Sequence, residues 1–203
     1  DSDGDGVVNK FDLENNTPSG ITVDDVGRSL DADNDGLPDH IDDDSFSTPG
    51  SHIDSNGREL DDDRDGVANN KDLELDTEIG QLVNKMGQKT NDFNAVFLPS
   101  IYFELNSSDV KDYNLDRLQV MASIMRNNSS YNLRVSGFSD SNSSELYNKK
   151  LDIKRAKSVI ESLSNIFGIE TGRMVVFSKQ SIKYYFAKNL KLFENVILNK
   201  AKF

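Results

Sequence analysis

Carboxylates at fixed intervals are the first chemistry this chain offers. Asp1, Asp3 and Asp5 precede Gly6, Asp31, Asp33 and Asp35 precede Gly36, and Asp61, Asp63 and Asp65 precede Gly66, with thirty residues between copies. A further carboxylate stands at the twelfth position of each copy, as Asp12, Asp42 and Asp72. Oxygens at positions 1, 3, 5 and 12 can surround one cation; glycine at position 6 permits the sharp turn, and the main-chain carbonyl of position 7 adds a ligand. That carbonyl belongs to Val7, Leu37 or Val67, whose side chains can then pack inward. An all-oxygen set without His or Cys suits calcium better than zinc or copper. About three calcium ions are expected, one per loop.

The repeat extends beyond the ligand positions. Asn9, Asp39 and Asn69 share a register, and Val23-Asp24-x-x-Gly27-Arg28-x-Leu30 pairs with Ile53-Asp54-x-x-Gly57-Arg58-x-Leu60. A disordered acidic tail has no reason to place glycine at every sixth loop position. Dockerins share these loop positions but need an amphipathic helix after each loop. Here Asp12 is followed by Leu-Glu-Asn-Asn-Thr-Pro, and Pro18, Gly20, Pro49 and Gly50 break helices. Residues 1–76 instead resemble thrombospondin type 3 repeats, Asp-rich calcium spacers, but lack their cysteines: Arg28 and Arg58 stand where Gly-Cys-Pro is common. The resemblance implies an irregular segment of three calcium-binding repeats. Carboxylates this dense repel one another without metal, and the segment has little apolar surface to offset its chain entropy. The expectation is a stalk that is rigid with calcium and slack without it.

Charge separates this segment from the rest. Residues 1–78 hold 24 Asp/Glu against 5 Lys/Arg, a net of −19; residues 79–203 hold the other 11 acids against 18 bases, a net of +7, and together they make −12. Absence of cysteine excludes a disulfide framework or thiolate metal site. No apolar run approaches the roughly 20 residues that span a bilayer. The chain opens inside a loop motif at Asp1, so an export signal, and with it a membrane anchor, is expected upstream.

Residues 77–96 read as a polar linker, with room for one short helix, and residues 97–203 as a domain. Ile101, Phe103 and Leu105 alternate as in a strand; Leu115, Leu118, Ala122 and Met125 recur at helical spacing; Tyr131, Leu133 and Val135 alternate and stop at Gly137. Asn142 can cap a second helix, with Glu145 three residues on, whose buried face is Ala156, Val159, Ile160, Leu163 and Phe167 and whose end is Gly168. Met174–Phe177 and Val196–Phe203 are further strand candidates, and residues 181–193 are ambiguous. The order predicts an α+β sandwich of βαβαβ type with a mixed sheet.

Asp140 falls in the loop before the second helix, while Asn148 and Arg155 lie seven apart on it, on one face and about 10 Å apart along the axis. Opposite charges at one cleft suit a ligand with both an ammonium and a carboxylate, which Arg grips in bidentate fashion. A helix-capping Asp and a surface Arg fit the same spacing, and on the residues alone both readings stand. Gly137-Phe-Ser-Asp140, Tyr147-Asn148-Lys-Lys-Leu151-Asp-Ile-Lys-Arg155-Ala156, Gly168-Ile169 and Arg173 together resemble the OmpA-like peptidoglycan-binding domain. The resemblance implies that Asp140 pairs with the ammonium of diaminopimelate in the wall peptide. It further implies that Arg155 clamps the carboxylate, Asn148 adds hydrogen bonds, and Ser139 contributes its backbone amide. Phe138 and Ser139 replace the family's His and Thr; Phe138 can pack on the ligand's methylenes. Asp152 replaces a Ser, and its charge weakens carboxylate binding.

These readings give a non-catalytic periplasmic tether that holds peptidoglycan and reaches an outer-membrane protein or complex, or an upstream anchor of the same chain. The alternative is a scaffold subunit of an outer-membrane complex whose wall site has decayed. Enzyme activity finds little support: His40 and His52 lie in the acidic segment with no nucleophile or base beside them. Net charge disfavours nucleic acid.

Overall fold

The computed structural model describes residues 1–138, 144–177 and 192–197, the last through their backbone. The chain divides into two compact units, Asp1–Leu60 and Asp61–Phe203.

Residues 1–90 form turns, bends and three isolated antiparallel bridges, Val23–Ser29, Ile53–Glu59 and Val83–Lys89. Each bridge closes a tight turn whose first side chain accepts from two backbone amides ahead of it. Asp24 Oδ1 accepts from Val26 and Arg28, Asp54 Oδ1 from Asn56 and Arg58, and Asn84 Oδ1 from Met86 and Gln88. Such Asx turns need an oxygen and no charge. The third hairpin can therefore use Asn84 and Gln88 where the others have Asp and Arg. This corrects the reading of residues 77–96 as a linker: Leu82 and Val83 are buried, and the third repeat runs on to Thr90.

After the third repeat the chain makes helix α1 (Leu115–Asn127), strand β1 (Asn132–Ser136), helix α2 (Glu145–Asn165), strand β2 (Met174–Phe177) and strand β3 (Leu192–Ile197). β1 is central, pairing in parallel with β2 through Leu133–Met174 and Val135–Val176, and with β3 through Leu133–Phe193 and Val135–Val196. Among the described residues the sheet is wholly parallel, where a mixed sheet was expected. Parallel neighbours need long crossovers, and α2 supplies the one between β1 and β2. β3 begins four residues before the predicted Val196, and the rest of that prediction, residues 198–203, lies outside the described residues.

The core gathers Leu118, Met121, Ala122 and Met125 from α1, Leu133 and Val135 from β1, and Ala156, Val159 and Leu163 from α2. Ser144 caps α2, its hydroxyl accepting from Tyr147 N at 3.4 Å; the predicted cap, Asn142, lies outside the described residues. Gly168 follows the helix at φ +70°, which L side chains rarely adopt. Arg173 donates to the carbonyls of Met125, Asn128 and Tyr131, closing the carboxyl end of α1 with a cation.

The predicted strand at Ile101–Leu105 does not form, although its alternation holds for Ile101 and Phe103, both buried. Side chains take the place of a strand partner. The Asn114 amide accepts from Tyr102 N and donates to Tyr102 O, both at 2.9 Å, and Arg155 donates to Glu104 O. Asn114 is fully buried, so Asn114→Ala strands two backbone groups away from water. The expected loss is about 2 to 3 kcal/mol in urea unfolding; a loss below about 0.5 kcal/mol would mean that this segment is held otherwise.

Candidate functional site

At positions 3, 5 and 12 of each loop, one carboxylate oxygen is committed to a backbone amide. At position 5, Oδ1 of Asp5, Asp35 and Asp65 accepts from the amide two residues ahead, at 2.7, 2.8 and 2.8 Å. At position 3, Oδ2 of Asp3, Asp33 and Asp63 accepts from the backbone of Thr17, Ser47 and Thr77 at 2.7 to 3.0 Å. At position 12, Oδ1 of Asp12, Asp42 and Asp72 holds the amide of residue 14, 44 or 74. The opposite oxygen of Asp3, Asp5, Asp12, Asp33, Asp42 and Asp65 is buried without a hydrogen-bond partner. Carboxylate oxygens of Asp1, Asp3 and Asp5, of Asp31, Asp33 and Asp35, and of Asp61, Asp63 and Asp65 lie within 4.8 Å of one another in each set.

Buried carboxylate oxygens facing one another are unstable as anions unless a cation joins them. Burial, with the neighbouring carboxylates adding to it, pushes Asp42 and Asp61 up to about 6 and Asp65 up to about 7; it also raises Asp33 and Asp72. The donor set is all oxygen, anionic and already oriented by backbone amides. It fits a hard divalent cation such as calcium, which the Asp at positions 1, 3, 5 and 12 of each loop would hold.

Several residues shape these loops in ways that their place in the repeat did not reveal. Thr17 and Thr77 lock position 3 through their amides and reach the carbonyls of Gly27 and Gly87 with their hydroxyls. Gly27, Gly57 and Gly87 close each loop from the following hairpin. A Cβ there would lie 2.2, 1.8 or 1.7 Å from Oδ1 of Asp12, Asp42 or Asp72, at φ between +73° and +82°. Asn9, Asp39 and Asn69 accept from the amide at position 2. Thr17, Ser47 and Thr77 recur at thirty residues, so carrying the alignment through position 17 would have found them, and Gly87 stands thirty residues after Gly57. The position 7 side chains pack inward by degrees: Val67 is buried, Val7 and Leu37 half-buried.

In the second unit Arg155 is only 3% exposed, and its guanidinium joins three segments. Nε donates to Ser107 O at 2.8 Å, Nη1 to Phe138 O at 3.1 Å and Nη2 to Glu104 O at 3.0 Å, with the Phe103 ring 5.1 Å away. It is thus no surface arginine; it fastens the first residues of the loop that carries Asp140. Phe138 is half-buried against the core, and Asn148 is half-buried one turn inside α2. Ser139 and Asp140 lie outside the described residues. Gly137 is fixed by close approach: a Cβ would sit 2.0 Å from Asp152 O on α2. Tyr147 OH donates to Asn106 Oδ1 at 3.5 Å, spanning the same edge. His40 and His52 are exposed.

Residues 102–190 match the model of the OmpA family, so the second unit carries an OmpA-family domain. The chain is similar to outer membrane porin F of Pseudomonas aeruginosa, 32% identical over 74 residues that make up 36% of this chain and 21% of the porin. It spans about a fifth of that relative's length. A likeness also exists to the crystal structure of the peptidoglycan-associated lipoprotein from Burkholderia pseudomallei, at 27% identity and a TM-score of 0.34, covering 39% of this chain and 69% of that one.

The arginine's geometry can be tested by Arg155→Lys. A single ammonium cannot reach three divergent carbonyls, so the variant should lose about 3 kcal/mol in urea unfolding. Unfolding equal to the parent's would show that charge alone matters at this position.

Proposed function

We propose that this chain is a non-catalytic periplasmic tether attached to the outer membrane. Its OmpA-family domain binds the diaminopimelate-containing peptide of peptidoglycan, and its carboxylate loops take up calcium and stiffen the segment that leads to an outer-membrane partner or anchor. The observation that carries the reading is the OmpA-family match over residues 102–190, joined to an arginine that ties the start of the Gly137–Asp140 loop to α2. Asp140 then receives the ligand's ammonium, while Arg155 and Asn148 face its carboxylate. Ser139 adds its amide, and Phe138 packs on the methylenes. The thirty-residue repeat of Asp and Gly positions supports the calcium half of the proposal, as do the buried carboxylate oxygens without partners. A net charge of +7 over residues 79–203 favours approach to an anionic wall.

A second reading, a scaffold subunit whose wall site has decayed, draws on the same arginine. Its guanidinium is engaged by three carbonyls without any ligand, so it has a structural role that would outlast binding. Sedimentation with diaminopimelate-type sacculi separates the two. As a tether, the full chain pellets, and Asp140→Asn, which removes charge and keeps shape, weakens binding at least about tenfold. As a scaffold, the parent stays in solution.

Calorimetry tests the loops independently. Uptake of about three calcium ions is expected, and Asp35→Asn should remove one of them. No uptake by the parent would end the stiffened-stalk reading.

A further inference from the structure

The three loops share a ligand pattern but not their surroundings. Position 22 of the repeat is Thr22 and His52 in the first two copies and Leu82 in the third. Leu82 is buried and packs with Val120 and Ile124, on the side of α1 away from the main core. Position 8 changes in the same sense: Val8 is 53% exposed, whereas Ala68 is 8% exposed.

The glycines report the same difference. A Cβ added at Gly6, Gly36, Gly20 or Gly50 would meet nothing within 4 Å. At Gly66 it would meet Pro99 and Val120 at 3.3 Å, and at Gly80 it would strike Ser123 O at 2.7 Å. Hydrogen bonds add to the packing: Asn127 Nδ2 donates to Ile79 O at 2.6 Å, and Phe97 N to Val83 O at 2.8 Å.

These contacts come from residues that also shape the ligand cluster. Gly66 N donates to Asp61 Oδ2 at 2.9 Å, and Val67 N to Asp65 Oδ1 at 2.8 Å. Asp65 is 2% exposed, and its Oδ2 has no hydrogen-bond partner.

We infer that the third loop is a built-in part of the OmpA-family domain, and that a divalent cation held by Asp61, Asp63, Asp65 and Asp72 stabilises that domain through α1. This inference rests on the calcium reading of the loops. A cation that binds the folded loop and not the unfolded chain raises stability with the logarithm of its free concentration. Because Gly66 and Leu82 are packed on α1, that stabilisation reaches the domain. The wall-binding half thereby senses the divalent cation level of its compartment.

The chain carries its own probe. It has no Trp, and its six tyrosines, Tyr102, Tyr113, Tyr131, Tyr147, Tyr184 and Tyr185, all follow the repeats. Tyrosine fluorescence during thermal unfolding of the full chain therefore follows the domain and not the first two loops.

Calcium at millimolar concentration should raise the tyrosine-monitored midpoint by about 5 °C or more over the chain in chelator, growing with log calcium. Asp35→Asn should keep that shift, and Asp65→Asn should lose most of it. Should Asp65→Asn fail to fold, Asp61→Asn, at a less buried position of the same loop, takes its place. Calcium uptake by calorimetry with an unmoved tyrosine midpoint, or an equal loss of shift in Asp35→Asn and Asp65→Asn, would overturn the coupling and leave the calcium reading intact. Absence of calcium uptake by the parent would overturn both.

Discussion

An aspartate has two oxygens, and in Asp3, Asp5, Asp12, Asp33, Asp42 and Asp65 each is given a separate task. One accepts a backbone amide from a turn that would otherwise lack a partner; the other is left buried among like charges. The first task folds a segment that has little apolar material, because amides satisfied by side chains replace the ladder of a sheet. The second makes that fold conditional, since desolvated anions facing one another oppose it. Local order and local instability come from the same residues, and a bound cation, as proposed, would resolve the conflict.

The OmpA-family domain shows the complementary arrangement. Where the loops bury anions, Arg155 is a buried cation and Arg173 a half-buried one, and backbone carbonyls surround them. Guanidinium offers several donors in a fixed plane, so one side chain can fasten segments distant in sequence. Arg155 joins Glu104, Ser107 and Phe138, and Arg173 closes the end of α1. With Asn114, Arg155 holds an opening segment that never becomes a strand. The chemistry proposed for the wall site therefore sits on a residue that the fold already requires. This explains how the domain could persist with or without a ligand.

Much of this was legible in the residues. Asp at positions 1, 3, 5 and 12 with Gly at 6 located the loops, because turns closed by carboxylates on backbone amides restrict spacing and residue type together. Helices α1 and α2 followed from apolar positions at helical spacing, and β1 from alternation ending at Gly137. Other features resisted. Alternation at Ile101 and Phe103 was correct as a burial pattern and wrong as a strand, since period-two burial does not reveal which group takes the backbone hydrogen bonds. The third hairpin was hidden by Asn84 and Gln88, which keep the turn's acceptor while changing its charge.

Sequence alone determined which side chains could meet a cation and which faces of the helices turn inward, because both are set by local spacing along one element. Tertiary structure alone decided that Arg155 is spent on three carbonyls from two segments, that the hairpin glycines cover the position 12 carboxylates, and that the third loop is packed on α1. Each of these depends on contacts between residues far apart in the chain. Spacing cannot supply them, since many folds place the same local pattern beside different neighbours.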